Sequence, residues 1–154
     1  MKYPVRKTTR IPNFDYSRDH YYFVTICTHD KKCLFGSIKE HSCYGKIAAD
    51  SILEIESHFD GVAVDKFVVM PNHVHIIIRI GCKEGFGQNP NLNNIVGLYK
   101  SGVSRRIHAY DPFEQVWQRS FHDHVIRGQK DYEKIWNYID TNPMRWDKDC
   151  FYVE

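Results

Sequence analysis

The sequence predicts an α+β fold in which helices pack on one face of a small antiparallel sheet, and three observations lead there. Short β-branched and aromatic runs alternate with longer stretches whose apolar residues recur at helical spacing. Two of the strand-like runs are separated only by Pro71-Asn72, a spacing that suits an antiparallel hairpin. The chain has 154 residues, 42% of them hydrophobic, which is enough for one core and for a single domain spanning residues 1–154.

"YYFVTICT" (21–28), aromatic and β-branched, reads as a buried strand. "YGKIAADSILEIESHF" (44–59) spaces Ile47, Ala48, Ile52, Ile55 and Phe59 as an amphipathic helix. "VAVDKFVVM" and "HVHIIIRI" are the two hairpin strands, and "GCKEGFGQNPN" (81–91) is a Gly- and Asn-rich loop. Leu92, Ile95, Val96, Tyr99, Val103 and Ile107 then form a long helical stripe, followed by a strand around "QVWQRSF" (115–121). The last helix starts near Asp131 and stops near Asn142, because Pro143 disfavours the α conformation in the residue before it. The order is βαββαβ plus one helix, the pattern of a ferredoxin-like sandwich. Such a sheet, covered on one side, offers its second face for a site.

No stretch reaches the ~18–20 apolar residues of a membrane span, and "MKYPVRKTTR" lacks the apolar region of a secretory signal. A cytoplasmic protein with no membrane partner is expected. Five cysteines in odd number, with no C-x-x-C pair, point to reduced thiols. The net charge is only +2, but its distribution is uneven. Lys2, Arg6, Lys7 and Arg10 lie in the first ten residues with no acid, at the start of a basic arm (1–18), and "YKSGVSRR" adds Lys100, Arg105 and Arg106. Such clusters form a phosphate-binding footprint, or else a solvated tail and helix face.

"VVMPNHVHIII" (68–78) is the first candidate site. Side chains alternate along a strand, so Val74, Ile76 and Ile78 take the core face while His73, His75, Ile77 and Arg79 take the other. Residues two apart are separated by roughly 6.5–7 Å, and two imidazoles at that spacing can lean onto one ion. They can equally be solvated side chains; spacing does not decide. "HDH" (122–124) repeats the spacing without the apolar middle residue and is the weaker metal candidate. In "DYEKIWNYIDTNP", Tyr132, Ile135, Trp136 and Ile139 form the apolar stripe. Tyr138 lies on its flank and shares a face with Asn142. Asn142 reads as a helix cap or as an amide completing a metal site that Tyr138 overlooks, and Tyr138 otherwise as a boundary aromatic.

The H-x-H with an apolar middle, together with "WQRSFHDHVIRGQKDYEKIWNYIDTNPMRW" (117–146), resembles the single-tyrosine HUH transposases. Within them the chain is most similar to the bacterial REP-associated tyrosine transposases of the IS200-like family. "TTRIPNFDYSRDHYYFVTICTHDKKCLFG" (8–36) and "LNNIVGLYKSGVSRRI" (92–107) look like that family's opening and its DNA-contacting helix. The resemblance implies His73 and His75 as paired metal ligands, Tyr138 as nucleophile, and Asn142 as an amide ligand where relatives commonly carry glutamine. It also implies a ferredoxin-like fold, Mg²⁺ or Mn²⁺, and single-stranded DNA near REP-like hairpins as substrate, hence a nucleoid-associated protein acting as monomer or homodimer.

The implied chemistry suits these residue types. Two neutral imidazoles and a neutral amide leave a divalent cation's charge free to polarise a phosphate. Tyr138 then forms a 5′-phosphotyrosine and frees a 3′-hydroxyl, and another 3′-hydroxyl can reverse the step and join strands. Forming phenolate at neutral pH costs roughly 4 kcal/mol, and His124 is the auxiliary candidate for assisting it. Lys100, Arg105, Arg106, Arg119 and Arg127, with Arg6 and Arg10 of the arm, are the expected phosphate contacts. Trp117 either stacks a base or packs in the core. A histidine-triad nucleotide hydrolase fits less well, since its third alternating histidine is Ile77 here. A domesticated, non-catalytic hairpin-binding protein is the other alternative.

Overall fold

The computed structural model describes residues 20–81 and 89–154. The basic arm with Arg6 and Arg10, and Cys82 in the central loop, lie outside these residues. The strands are β1 (His20–Cys27), β2 (Val62–Met70), β3 (His73–Ile80) and β4 (His122–Ile126). The helices are α1 (Cys43–Leu53), the short α2 (Ile55–His58), α3 (Leu92–His108) and α4 (Gln129–Thr141), with a 3₁₀ segment over Asn142–Lys148.

The sheet runs β2-β3-β1-β4, every neighbouring pair antiparallel, the strand order of a ferredoxin-like sandwich. Pro71 and Asn72 form the predicted two-residue hairpin, closed by the Met70–His73 pair. On one face, Val74, Ile76 and Ile78 join Tyr22, Val24 and Ile26 in a core roofed by α1 and α3. The α3 stripe is buried as its spacing predicts, and the Asn91 side chain caps that helix by accepting from Asn93 N. On the other face α4 lays Ile135 and Ile139 over Ile77 and Ile126. β3 is therefore buried on both faces, Arg79 alone being half-exposed. Each fully buried isoleucine contributes about 1.5–3 kcal/mol.

Three elements depart from expectation. The helix expected over 44–59 breaks at Glu54 into α1 and α2, with Ile52 and Ile55 both still buried. The strand expected over 115–121 is displaced to His122–Ile126, so the "HDH" segment is itself the edge strand. Ser120, at φ 70°, is left-handed backbone that interrupts the extended run, and upstream of it only an isolated bridge joins Trp117 to Thr28. The α-helix does end at Thr141, yet Asn142 keeps α dihedrals and Pro143 opens a 3₁₀ turn instead of an extended exit.

Candidate metal centre and nucleophile

The hairpin fixes the site's first component. His73 opens β3 and His75 follows on the same face, their Nε2 atoms 3.1 Å apart. Each imidazole is oriented through its other nitrogen. His73 Nδ1 lies 2.8 Å from Asn72 Oδ1, while Asn72 Nδ2 donates to the carbonyls of Lys31 and Phe151. An amide whose NH₂ is so engaged presents only an acceptor to His73, which assigns the ring proton to Nδ1 and the lone pair to Nε2. His75 Nδ1 lies 2.8 Å from the hydroxyl of Thr25, its register partner on β1. That hydroxyl can donate or accept, so His75 can give its Nε2 proton to His73 or withdraw it and expose a second lone pair.

Both rings are essentially inaccessible, at 0% and 1% exposure. Burial drives His73 down to about 4, against the opposing pull of the Asp149 carboxylate. Burial, reinforced by His73, drives His75 well below its ordinary value. Both are neutral near pH 7, the protonation state that binds metals.

Helix α4 brings the second component. Its amphipathic spacing seats Ile135 and Ile139 on the sheet and leaves Tyr138 on the flank, 41% exposed, as the sequence predicts. The Tyr138 ring lies 5.3 Å from His75 and 6.1 Å from Phe23. Burial first, then Asp149 and Cys150, raises its phenol, and the Asn142 amide partly offsets this. Asn142, one turn on, is buried with its Nδ2 donating to Asp149 Oδ2 at 2.9 Å. Its Oδ1 is buried with no hydrogen-bond partner. An orphaned acceptor of this kind costs about 1–3 kcal/mol, and a cation would satisfy it. Two imidazoles, one able to present its lone pair by a tautomer change, and a free amide oxygen thus fit a divalent ion.

Asp149 was not anticipated. The 3₁₀ segment turns the chain back so that this carboxylate, seven residues after Asn142, lies 3.7 Å from His73 Nε2 with its side chain fully enclosed. Among the described residues, His73, His75 and Asp149 are the one group of three metal-capable side chains of the His, Cys, Asp or Glu kind brought together. Phe151 closes over them, its ring 4.6 Å from that of His73. Only the turn after Pro143 could have hinted at this return, and sequence spacing does not measure it.

The remaining candidates are dispersed. Lys100 Nζ donates to the carbonyls of Gln118 and Ser120, and Arg106 binds Glu54 and Ser51. Both cations have partners within the fold. Arg105, Arg119 and Arg127 are exposed. His124, on β4, lies 2.7 Å from Asp131 Oδ2, which also accepts from Arg127 N at the start of α4. Asp131 precedes Tyr138 by seven residues, about 10 Å along a helix, so this pair holds the opposite end of α4. Trp117 packs between Phe35 and Tyr99 and donates to Lys100 O, as a core residue does.

The sequence family described as "Transposase IS200 like" matches residues 15–142. An uncharacterized protein of Haemophilus influenzae is 32% identical over 97% of this chain and 94% of its own length. Among solved structures, a REP-associated tyrosine transposase bound to a REP hairpin superposes with a TM-score of 0.62 at 18% identity, covering 92% of this chain and 74% of that one. A candidate transposase from Deinococcus radiodurans superposes with a TM-score of 0.54 at 15% identity, covering 86% of this chain and 97% of that one. At such identities these two likenesses speak for the fold.

Proposed function

The chain belongs to the IS200-like transposase family, and from that premise we propose that it nicks and rejoins single-stranded DNA at REP-like hairpins through a covalent bond to Tyr138. The observation that carries the proposal is the convergence, on one face of β3, of a half-exposed phenol with two buried neutral imidazoles and an unpartnered amide oxygen. A structural tyrosine on the flank of α4 would need none of these neighbours.

In this reading His73, His75 and Asn142 hold Mg²⁺ or Mn²⁺, which supplies positive charge to polarise the scissile phosphate and stabilise charge developing on its oxygens. Tyr138 Oη attacks phosphorus; the bond to the 3′ oxygen breaks, and that oxygen leaves as a hydroxyl once protonated. The 5′ phosphate stays on Tyr138 until another 3′-hydroxyl attacks it and restores the phenol, so strands are joined with no external energy source. Phe23 and His75 flank the ring and limit its swing. Arg105, Arg119 and Arg127, with Arg6 and Arg10 of the arm, contact backbone phosphates. Lys100 and Arg106 add to that field from their anchored positions. A DNA substrate places the protein in the cytoplasm with the nucleoid.

Labelled hairpins from the gene's flanking DNA, incubated with Mn²⁺ and run on a denaturing gel, test this. The native protein is expected to give a nicked strand and a protein adduct, both lost in Tyr138→Phe and in His73→Ala. Tight hairpin binding with neither product would reduce the protein to a non-catalytic hairpin binder.

A further inference from the structure

The inference rests on the metal reading above and concerns the residue that sequence did not disclose. Three acceptors converge on one buried volume: Nε2 of His73, Nε2 of His75 when its proton moves to Nδ1, and Oδ2 of Asp149. The Asn142 amide joins them through its Nδ2 bond to Asp149, its Oδ1 buried and unpartnered. The Asp149 side chain is 0% exposed, and His73 is the one cation-capable side chain within 4.0 Å of it among the described residues. Asn72 leaves His73 Nε2 as a lone pair, so the 3.7 Å approach sets acceptor against acceptor. Nearby backbone and amide groups do not resolve this. Phe151 N donates to Asp149 Oδ1, Asn142 Nδ2 to Oδ2, and the Cys150 thiol also bonds the carboxylate, but none of these donors lies between Oδ2 and His73 Nε2 as a shared proton.

A divalent ion resolves it. Around an ion with bonds of about 2.0–2.2 Å, ligand atoms are spaced about 2.8–4.4 Å apart. The observed 3.1 Å between the imidazoles and 3.7 Å from His73 to Asp149 lie in that range. All three ligand atoms of the cluster lie within 4.8 Å of one another. We infer that Asp149 is an anionic ligand of the divalent ion in the DNA-free protein, completing a site otherwise built of neutral donors from β3 and the end of α4. A carboxylate makes the donor set harder, offsetting the imidazoles' preference for zinc-like metals, and reduces the ion's net charge by one. The ion held by these residues would still supply charge to a phosphate oxygen.

Mn²⁺ binding by the DNA-free protein, read from the paramagnetic resonance of the free aquo ion, tests the inference without reference to activity. Asp149→Asn retains an acceptor for Asn142 Nδ2 while removing the charge, and is expected to weaken Mn²⁺ at least tenfold. His73→Ala should abolish saturable binding. A second variant guards against mere loosening of the C-terminal segment. Asp149→Cys loaded with Co²⁺ should show a near-ultraviolet thiolate-to-metal band that the native protein, with its own cysteines, lacks. Native-like Mn²⁺ affinity in Asp149→Asn, or no new band in Asp149→Cys, overturns the ligand role of Asp149, while the loss in His73→Ala leaves the metal reading standing. If the native protein does not bind Mn²⁺, or His73→Ala binds as well as native, the metal reading and the inference fall together.

Discussion

The two faces of β3 carry the same degree of burial and opposite chemistry. Val74, Ile76 and Ile78 meet residues of α1 and α3 through dispersion and apolar burial. His73 and His75 are as deeply enclosed on the other face, yet they hydrogen-bond an amide and a hydroxyl, and a carboxylate lies 3.7 Å from His73. Val74, Ile76 and Ile78 carry no titratable group, so the stability they contribute does not depend on protonation. The histidine face is favoured in the neutral state of its imidazoles, and in the reading proposed above it would gain from a cation.

That contrast can be tested by perturbing each face. Ile76→Ala opens a cavity under α1 and α3 and should cost about 3–4 kcal/mol of unfolding free energy in urea, with or without metal. A smaller loss that grew on adding EDTA would show that the apolar face depends on the polar one.

Acid is the corresponding probe for the polar face. His73 titrates near 4 in the folded chain and about 6.5 when unfolded, so between these values the unfolded chain binds more protons. Stability in EDTA should be full above pH 6.5 and fall by on the order of 3 kcal/mol as the pH approaches 4. His75 acts in the same direction. His73→Gln should flatten the profile; an unchanged slope would detach acid sensitivity from this face.

Metal should act in the opposite sense. At a hundredfold excess over its dissociation constant, Mn²⁺ should add about 2.7 kcal/mol to the native protein. A rise in melting temperature should accompany it and be absent from His73→Ala. Equal stabilisation of both proteins would locate the ion elsewhere.

The smallest effect is expected at Thr25. Thr25→Val preserves shape but leaves His75 Nδ1 without its 2.8 Å partner, and should cost about 1–2 kcal/mol with a weakened Mn²⁺ response. A neutral outcome on both readouts would mean that Thr25 does not orient the ring.

What could be read from the sequence follows the same division. Periodicity identified the apolar face of β3, the α3 stripe and the flank position of Tyr138, because burial of repeating apolar residues leaves a pattern in the chain. The Pro71-Asn72 hairpin was legible because turn chemistry is local. β4 was misplaced because Val116, Trp117 and Phe121 are buried like strand residues without forming the strand, and Ser120's backbone leaves no mark in an apolar pattern. The position of Asp149 beside His73 was invisible because it depends on the 3₁₀ turn after Pro143. Lys100 and Arg106 read as phosphate contacts, while the fold binds them to carbonyls, Glu54 and Ser51, partners 18 to 55 residues away in sequence.

The most direct measurement is mass-spectrometric mapping of the covalent product. The protein would be incubated with flanking-DNA hairpins and Mn²⁺, digested with protease and nuclease, and the nucleotide-bearing peptide sequenced. A phosphonucleotide on Tyr138, absent when His73 is replaced by alanine, is the predicted result. Attachment to Tyr132, Tyr152 or any other residue, or no attached nucleotide despite tight hairpin binding, would contradict the assignment of this face of β3 as a tyrosine nicking site.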